Sequence, residues 1–334
     1  MQRVALIGAG TMGRTHYNAW CKIGNAEVVA VCDINREKAE LLTGKCGVRI
    51  YDEYQKMMEA ETFDILDICL PTYLHAEYAI NAMKKGKHVF CEKPVALTEE
   101  DAVEMISTAK EYGVYFSVGH VLRFFPSYEN AAQQCHDGRI GVPRLIRTTR
   151  NQGFPRWSWN NWYQDYSKSG GPILDLVIHD FDWIIATFGP VERVYASSFD
   201  GKIEGQEHCL CILRLKNGAI CHVEGSWAFP QGTSFRMTYE IVGTEGSIEY
   251  DSVKNAPIWV QTNQEGAHVD EYINPMLGAM EPYMRELKAF SDAVENKTPP
   301  VISGEAALSA LRVALAAVKS SQSGEAVTIQ EDVR

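Results

Sequence analysis

RVALIGAGTMG (residues 3–13) reads as an apolar strand that runs through G-x-G-x-x-G into a helix. Gly8 permits the tight turn, Gly10 lets the backbone approach a pyrophosphate, and Gly13 allows close strand–helix packing, with the anion at the helix N-terminus. The six-residue pattern alone is common, and its context gives it specificity. A second apolar strand, EVVAVCD (27–33), ends in Asp33, twenty residues after Gly13. That is the offset of a carboxylate that hydrogen-bonds the ribose hydroxyls of a dinucleotide. Thr11, Met12 and Ile34 complete the expected contacts on this side. Asp33 repels a 2′-phosphate, so NAD is favoured over NADP. Arg36, three residues on, reads either as a partner for such a phosphate or as a solvated helix residue.

Outward from this loop, apolar runs alternate with helical patterns. Strands are expected at 3–10, 27–33, 48–51, 63–70, 88–92 and 114–119, and helices at 12–21, 35–43, 73–84 and 98–111. Strands that are apolar throughout mark a parallel sheet covered on both faces, and repeated β-α-β order makes it a doubly wound, Rossmann-type α/β domain. The pattern then changes. A helix at 124–136, a strand at 142–150, an aromatic loop FPRWSWNNWYQDY (154–166) and one helix at 172–188 lead into longer alternating strands at 191–199, 208–216, 218–228, 235–243 and 247–251. Asn217-Gly218 is a hairpin turn. Helices at 280–295 and 304–320 close the chain. The reading is a cofactor domain over 1–121 and an α+β domain over 122–334, built on a large, mostly antiparallel sheet, for substrate binding and oligomerisation.

The 334 residues suit about two domains. Apolar residues at 46% and charged residues at 22% exclude wholesale disorder, and a net charge of −11 argues against nucleic acid or anionic membrane as a partner. Nine scattered cysteines without a CxxC pair fit neither a disulfide framework nor a metal site, and Cys209 and Cys211 read as core fillers. No run approaches a membrane span and the N-terminus lacks a signal-peptide layout, so a cytoplasmic protein is expected.

Two further stretches carry chemistry. Cys91-Glu92-Lys93-Pro94 ends a parallel strand, where ligands bind in an open α/β sheet. Gly170-Gly171-Pro172-Ile173-Leu174-Asp175-Leu176-Val177-Ile178-His179 opens a helix in the second domain. Asp175 and His179, four apart, are expected on one helix face in an unusually apolar setting. A buried structural pair is the ordinary role for such residues; a cofactor-side lysine shifts the balance towards catalysis.

Together these pieces resemble the Gfo/Idh/MocA family of NAD(P)-dependent dehydrogenases, which includes glucose–fructose oxidoreductase and inositol 2-dehydrogenase. The resemblance lies in GAGTMG, CLPTYLHAEYAINAMKKGKHVFCEKPVALT (69–98), VGHVLRFFP (118–126), SGGPILDLVIHDFDWI (169–184) and the tail at 303–329, so it spans essentially the whole chain. It implies Lys93, Asp175 and His179 as the catalytic set, and a cis Lys93–Pro94 bond. It also implies that Pro71, Thr72, His75, Glu92 and Lys93 line the nicotinamide side and that Arg123 faces substrate. His75 and His120 read equally well as core histidines, and Asp182 as a structural acid on the catalytic helix.

The residue types suit oxidation of a secondary alcohol. His179 is the natural acceptor for the hydroxyl proton, Asp175 orients it, and Lys93 stabilises developing alkoxide charge. In the aromatic loop Trp157, Trp159, Trp162 and Tyr163, with Asn160 and Asn161, suit either a sugar or cyclitol face or a lid or subunit contact. The expected activity is NAD-dependent oxidation of a ring hydroxyl of an unphosphorylated sugar, glycoside or inositol-like cyclitol, or the reverse, in a homodimer or homotetramer. Two alternatives stand beside it: a lyase or glycosidase that oxidises its substrate transiently with retained NAD, and a non-catalytic NAD(P)-binding sensor.

Overall fold

The computed structural model describes residues 1–44, 47–200, 207–254, 258–262 and 282–330. The elements in chain order are β1 (Gln2–Ile7), α1 (Thr11–Trp20), β2 (Ala26–Cys32), α2 (Arg36–Thr43), β3 (Arg49–Tyr51), α3 (Tyr54–Ala60), β4 (Ile65–Ile68), α4 (His75–Lys84), β5 (His88–Glu92), α5 (Glu99–Glu111) and β6 (Phe116–Gly119). There follow α6 (Pro126–His136), β7 (Pro143–Gly153), α7 (Tyr166–Ser169), α8 (Gly171–Asp175), α9 (Ile178–Phe188), β8 (Val191–Asp200), β9 (Glu207–Leu215), β10 (Ile220–Phe229), β11 (Arg236–Gly243), β12 (Gly246–Asp251) and β13 (Ile258–Thr262). The chain closes with α10 (Pro282–Asn296), α11 (Gly304–Ser323) and β14 (Val327–Thr328). Two compact units result. The first holds Met1–Val121, Ser158–Trp162 and Met280–Leu308, and the second Leu122–Trp157, Tyr163–Ala279 and Ser309–Arg334.

The first unit is a six-stranded sheet in the order β3-β2-β1-β4-β5-β6. Every neighbouring pair is parallel. Strands β4 and β6 are buried along their whole length, which explains why they read as mainly apolar runs, interrupted only by the buried Asp67 and Ser117. The strand order reverses between β1 and β4, and this switch point opens the ligand crevice at the carboxyl ends. Helix α10 also belongs here: Leu287, Phe290 and Val294 share one core with Tyr17, Trp20 and Phe90. The Asn25 amide donates to Asp292 at 3.0 Å and to Glu295 at 2.6 Å, tying that helix to the turn before β2. Helix α3 is too short for its period to stand out in the sequence, and it buries only Met57 and Met58.

The second unit is an eight-stranded sheet in the order β13-β12-β11-β7-β10-β9-β8-β14. The β7–β10 pair is parallel and the others are antiparallel. Burial alternates along β9, so one face packs inward and carries Cys209, Cys211 and Leu213. Opposite these on β10 lie Cys221 and Val223, also fully buried. Asn217 and Gly218 make the β9–β10 turn: Gly218 has φ +90° and donates its N–H to the Leu215 carbonyl, and the Asn217 side-chain Oδ1 accepts from the Ala219 N–H. One expectation is corrected. The run 172–188 is not one helix; α8 ends at Asp175 and α9 begins at Ile178. Leu176 and Val177 both donate to the Pro172 carbonyl at 2.9 Å, which interrupts the regular ladder.

Candidate functional site

Helix α1 starts with no capping side chain and no acidic residue in its first turn, so its N-terminal amides are presented without a competing anion. A Cβ on Gly13 would lie 1.7 Å from the Gly8 carbonyl oxygen, whereas one on Gly10 would meet nothing within 4 Å. The third glycine therefore permits strand–helix packing, and the second leaves open space over the helix end. Asp33 follows β2, and its carboxylate accepts from the backbone of Ala9 at 2.6 Å and Asn35 at 2.7 Å. The acid is thus fixed against the glycine loop it serves. Thr11 and Ile34 are exposed beside it and Met12 is half-buried. This cradle fits the pyrophosphate and ribose of a dinucleotide.

The carboxyl ends of β4 and β5 supply the second half of the crevice. Thr72 is buried and Pro71 and Lys93 are half-buried. The Lys93–Pro94 peptide is cis, as the resemblance implied. His75 is fully buried, with Nδ1 2.8 Å from the Pro94 carbonyl and Nε2 2.9 Å from the Leu70 carbonyl. Burial lowers its pKa and outweighs those carbonyls. The ring is committed to joining two loops. His120, after β6, is fully buried as well.

Beneath Glu92 lies a charged network. His16 on α1 places Nδ1 3.0 Å from Asp67 and Nε2 2.9 Å from Glu92. Trp20 Nε1–H donates to Asp67 at 2.7 Å, and the Lys93 backbone N–H donates to Glu92 at 3.1 Å. Burial opposes a charged imidazole, but the Asp67 charge, with Cys69 nearby, prevails and holds the His16 pKa well above the usual value. Burial likewise pushes the Glu92 carboxyl up, and the His16 bond and charge with the Lys93 charge bring it below its ordinary range. The neighbouring Cys69 thiol is pushed up to about 12, chiefly by burial. The sequence reading missed His16 and Asp67. The available signal was Asp67 itself, a carboxylate inside the otherwise apolar run FDILDICL (63–70) that requires a buried partner.

In the second unit, Asp175 closes α8 as a buried residue and His179 lies half-buried in the first turn of α9. The helix break replaces the expected i,i+4 placement on one continuous helix. Two buried acids follow on α9. Asp180 accepts from Arg150 Nε at 2.8 Å, and Asp182 accepts from Arg123 at 2.7 and 2.5 Å. Asp182, read from the sequence as a structural acid, is paired with the Arg123 fork. In the aromatic loop, Tyr163 stacks edge-on against Trp157 and Trp227, with centroids 5.5 Å away in each pair. Trp227 also meets Phe154 at right angles. Asn160 and Asn161 both take positive φ, and Trp162, grouped with the first unit, is half-buried.

No helix among the described residues is long and apolar enough to cross a membrane. Known proteins identify these parts. The family model described as "Oxidoreductase family, NAD-binding Rossmann fold" matches residues 2–120, and "Oxidoreductase family, C-terminal alpha/beta domain" matches residues 132–329. The myo-inositol 2-dehydrogenase of Thermotoga maritima is 30% identical over 339 residues, covering 98% of this chain and 99% of that protein. The scyllo-inositol 2-dehydrogenase (NAD(+)) of Bacillus subtilis is 29% identical over 342 residues, covering 99% and 97%. The 2,7-anhydro-N-acetylneuraminate hydratase of Escherichia coli is 29% identical over 263 residues, covering 77% and 69%. Among solved structures, a levoglucosan dehydrogenase in complex with NADH and L-sorbose superposes with a TM-score of 0.88 at 24% identity, over 99% of this chain and 100% of that one. With both halves matched in order across nearly its whole length, the chain belongs to the Gfo/Idh/MocA family of oxidoreductases.

Proposed function

We propose that this protein is an NAD-dependent dehydrogenase that interconverts a ring hydroxyl and a ketone on an unphosphorylated cyclitol or sugar. The observation that carries the proposal is the retention of all three family catalytic types, Lys93, Asp175 and His179, in a chain whose relatives include two inositol 2-dehydrogenases. In this reading residues 1–121 serve the cofactor and 122–334 the substrate. Gly8, Gly10, Thr11, Met12 and Gly13 receive the pyrophosphate, Asp33 with Ile34 the adenosine ribose, and Pro71, Thr72 and Glu92 the nicotinamide side, where His75 shapes the loops. NAD supplies the hydride acceptor when bound. His179 takes the hydroxyl proton, Asp175 orients the imidazole and balances its charge, and Lys93 donates a hydrogen bond to the reacting oxygen. Arg123, held by Asp182, and Trp162 are read as substrate-contacting residues. The Asp33 carboxylate, which repels a 2′-phosphate, supports NAD over NADP.

The outer face of the large sheet supports a homo-oligomer. Tyr195 lies opposite Ile212 and Phe199 opposite His208, and Tyr195, Phe199, Ile212 and Ile220 are all exposed. A cytoplasmic location completes this reading.

The hydratase among the relatives favours a second reading, transient oxidation by retained NAD with release of an elimination or hydration product. A panel of inositols, pyranoses and glycosides with NAD and NADP separately, followed by reduced-nicotinamide absorbance, distinguishes them. Stoichiometric NADH release with a cyclitol or sugar is expected. Product formation without released NADH selects the second reading. Nucleotide binding with no chemistry on any substrate selects the sensor.

A further inference from the structure

A neutral imidazole donates from one nitrogen only, and an ionised carboxylate only accepts. His16 is fully buried and faces a carboxylate from each ring nitrogen: Nδ1 lies 3.0 and 3.1 Å from the two oxygens of Asp67, and Nε2 lies 2.9 Å from Glu92. With both carboxylates ionised, the two contacts are satisfied together only when both nitrogens carry protons. The other neighbours do not replace either donor. Cys69 Sγ sits 3.2 Å from Nδ1, Phe90 meets the ring edge-on, and Tyr283 of α10 tilts against it at 6.2 Å. The Trp20 indole N–H is spent on Asp67. On its far side Glu92 accepts the backbone N–H of Lys93, and a Cβ at Gly119 would press to 3.3 Å on the same carboxylate. The carboxylate thus fills a slot bounded by the imidazole, the Lys93 amide and a residue without a side chain.

We propose that His16 is a positioning residue for Lys93: as an imidazolium clamped between Asp67 and Glu92, it fixes the Glu92 carboxylate on the Lys93 amide and so sets the strand end from which the lysine projects. The proposal rests on the reading of Lys93 as catalytic. It distinguishes the two ring nitrogens. Nδ1 anchors α1 to the sheet through Asp67, whereas Nε2 reaches the reactive edge.

The test separates the nitrogens. His16→Gln keeps a donor where Nε2 was, and His16→Asn keeps one where Nδ1 was. In the unliganded wild-type protein labelled with nitrogen-15 at histidine, both His16 nitrogens are expected to be protonated at neutral pH. The Lys93 amide resonance is expected to shift in His16→Asn and to stay in place in His16→Gln. In turnover, His16→Asn is expected to lower kcat by about tenfold or more while the NADH dissociation constant stays within about threefold. His16→Gln is expected to remain within about threefold in both. A singly protonated ring in the wild type, an unmoved Lys93 amide in His16→Asn, or equal kcat losses in the two variants would overturn the proposal. A wild type that shows the expected resonances and oxidises no substrate would instead overturn the dehydrogenase reading and leave the role of His16 standing.

Discussion

At the scale of the residue, the ionisable groups sort by what holds them. Asp33 is aimed by two backbone amides, His75 by two backbone carbonyls, and His16 by two carboxylates. Lys93→Ala, Asp175→Asn and His179→Ala are each expected to bind NADH normally and to lose at least about a hundredfold in turnover, as removal of a proton-transfer or oxyanion partner requires. Fluorescence titration of NADH beside steady-state rates checks this; wild-type-like turnover in all three variants would sink the assignment. These three residues were legible because each sits in a specific run of neighbours. His16 was not, since a histidine on the buried face of a helix shows its partners only once α1, β4 and β5 are assembled.

At the scale of the element, the parallel strands were legible because burial on both faces leaves a mainly apolar run. The antiparallel strands were legible through their alternation. The break between α8 and α9 was not, since the stretch around Leu176 and Val177 is apolar on every side and carries no glycine or proline to mark a stop. Strands β13 and β14 were not read from the sequence, β14 because two residues leave no pattern to follow. Helix α9 is secured by the Arg150–Asp180 pair, whose side chains are 4% and 0% exposed. Arg150→Met alone leaves a buried aspartate unpaired and is expected to destabilise the fold by about 3–5 kcal/mol. The double variant Arg150→Met with Asp180→Leu is expected to recover most of that loss. Urea unfolding of the single and double variants measures both, and a double variant as unstable as the single would show that the charge pair is not the cause.

At the scale of the whole molecule, the buried network makes folding sensitive to pH in a defined direction. The raised His16 pKa contributes stability that is complete below its unfolded value of 6.5 and is lost as pH rises through the elevated folded value. The lowered Glu92 pKa contributes stability that is complete above 4.5 and is lost as pH falls through the depressed folded value. Together they give a plateau between 4.5 and 6.5. Thermal melts of the wild type and His16→Gln across pH are expected to converge on the alkaline side; parallel curves above 6.5 would contradict the linkage. The outer sheet face makes a separate expectation. Ile212→Lys, at the centre of the exposed row, is expected to shift the protein towards monomer in sedimentation velocity without unfolding it, and an unchanged assembly would move the interface elsewhere. The sequence revealed long alternating strands, but only the register shows which side chains share that face.

The β9–β10 turn bears on the ageing of the purified protein. An asparagine followed by glycine is the pair most prone to spontaneous deamidation, because the unhindered glycine amide nitrogen can attack the side-chain carbonyl and close a succinimide. Here the Asn217 side-chain NH₂ donates to the Phe188 carbonyl at 2.7 Å while its oxygen accepts from Ala219 at 3.0 Å. The folded hairpin therefore holds the amide out of the attacking geometry that its own sequence invites. Storage conditions that loosen this turn would convert one neutral side chain into an isoaspartyl or aspartyl carboxylate, with a slow acidic drift in the charge of the preparation.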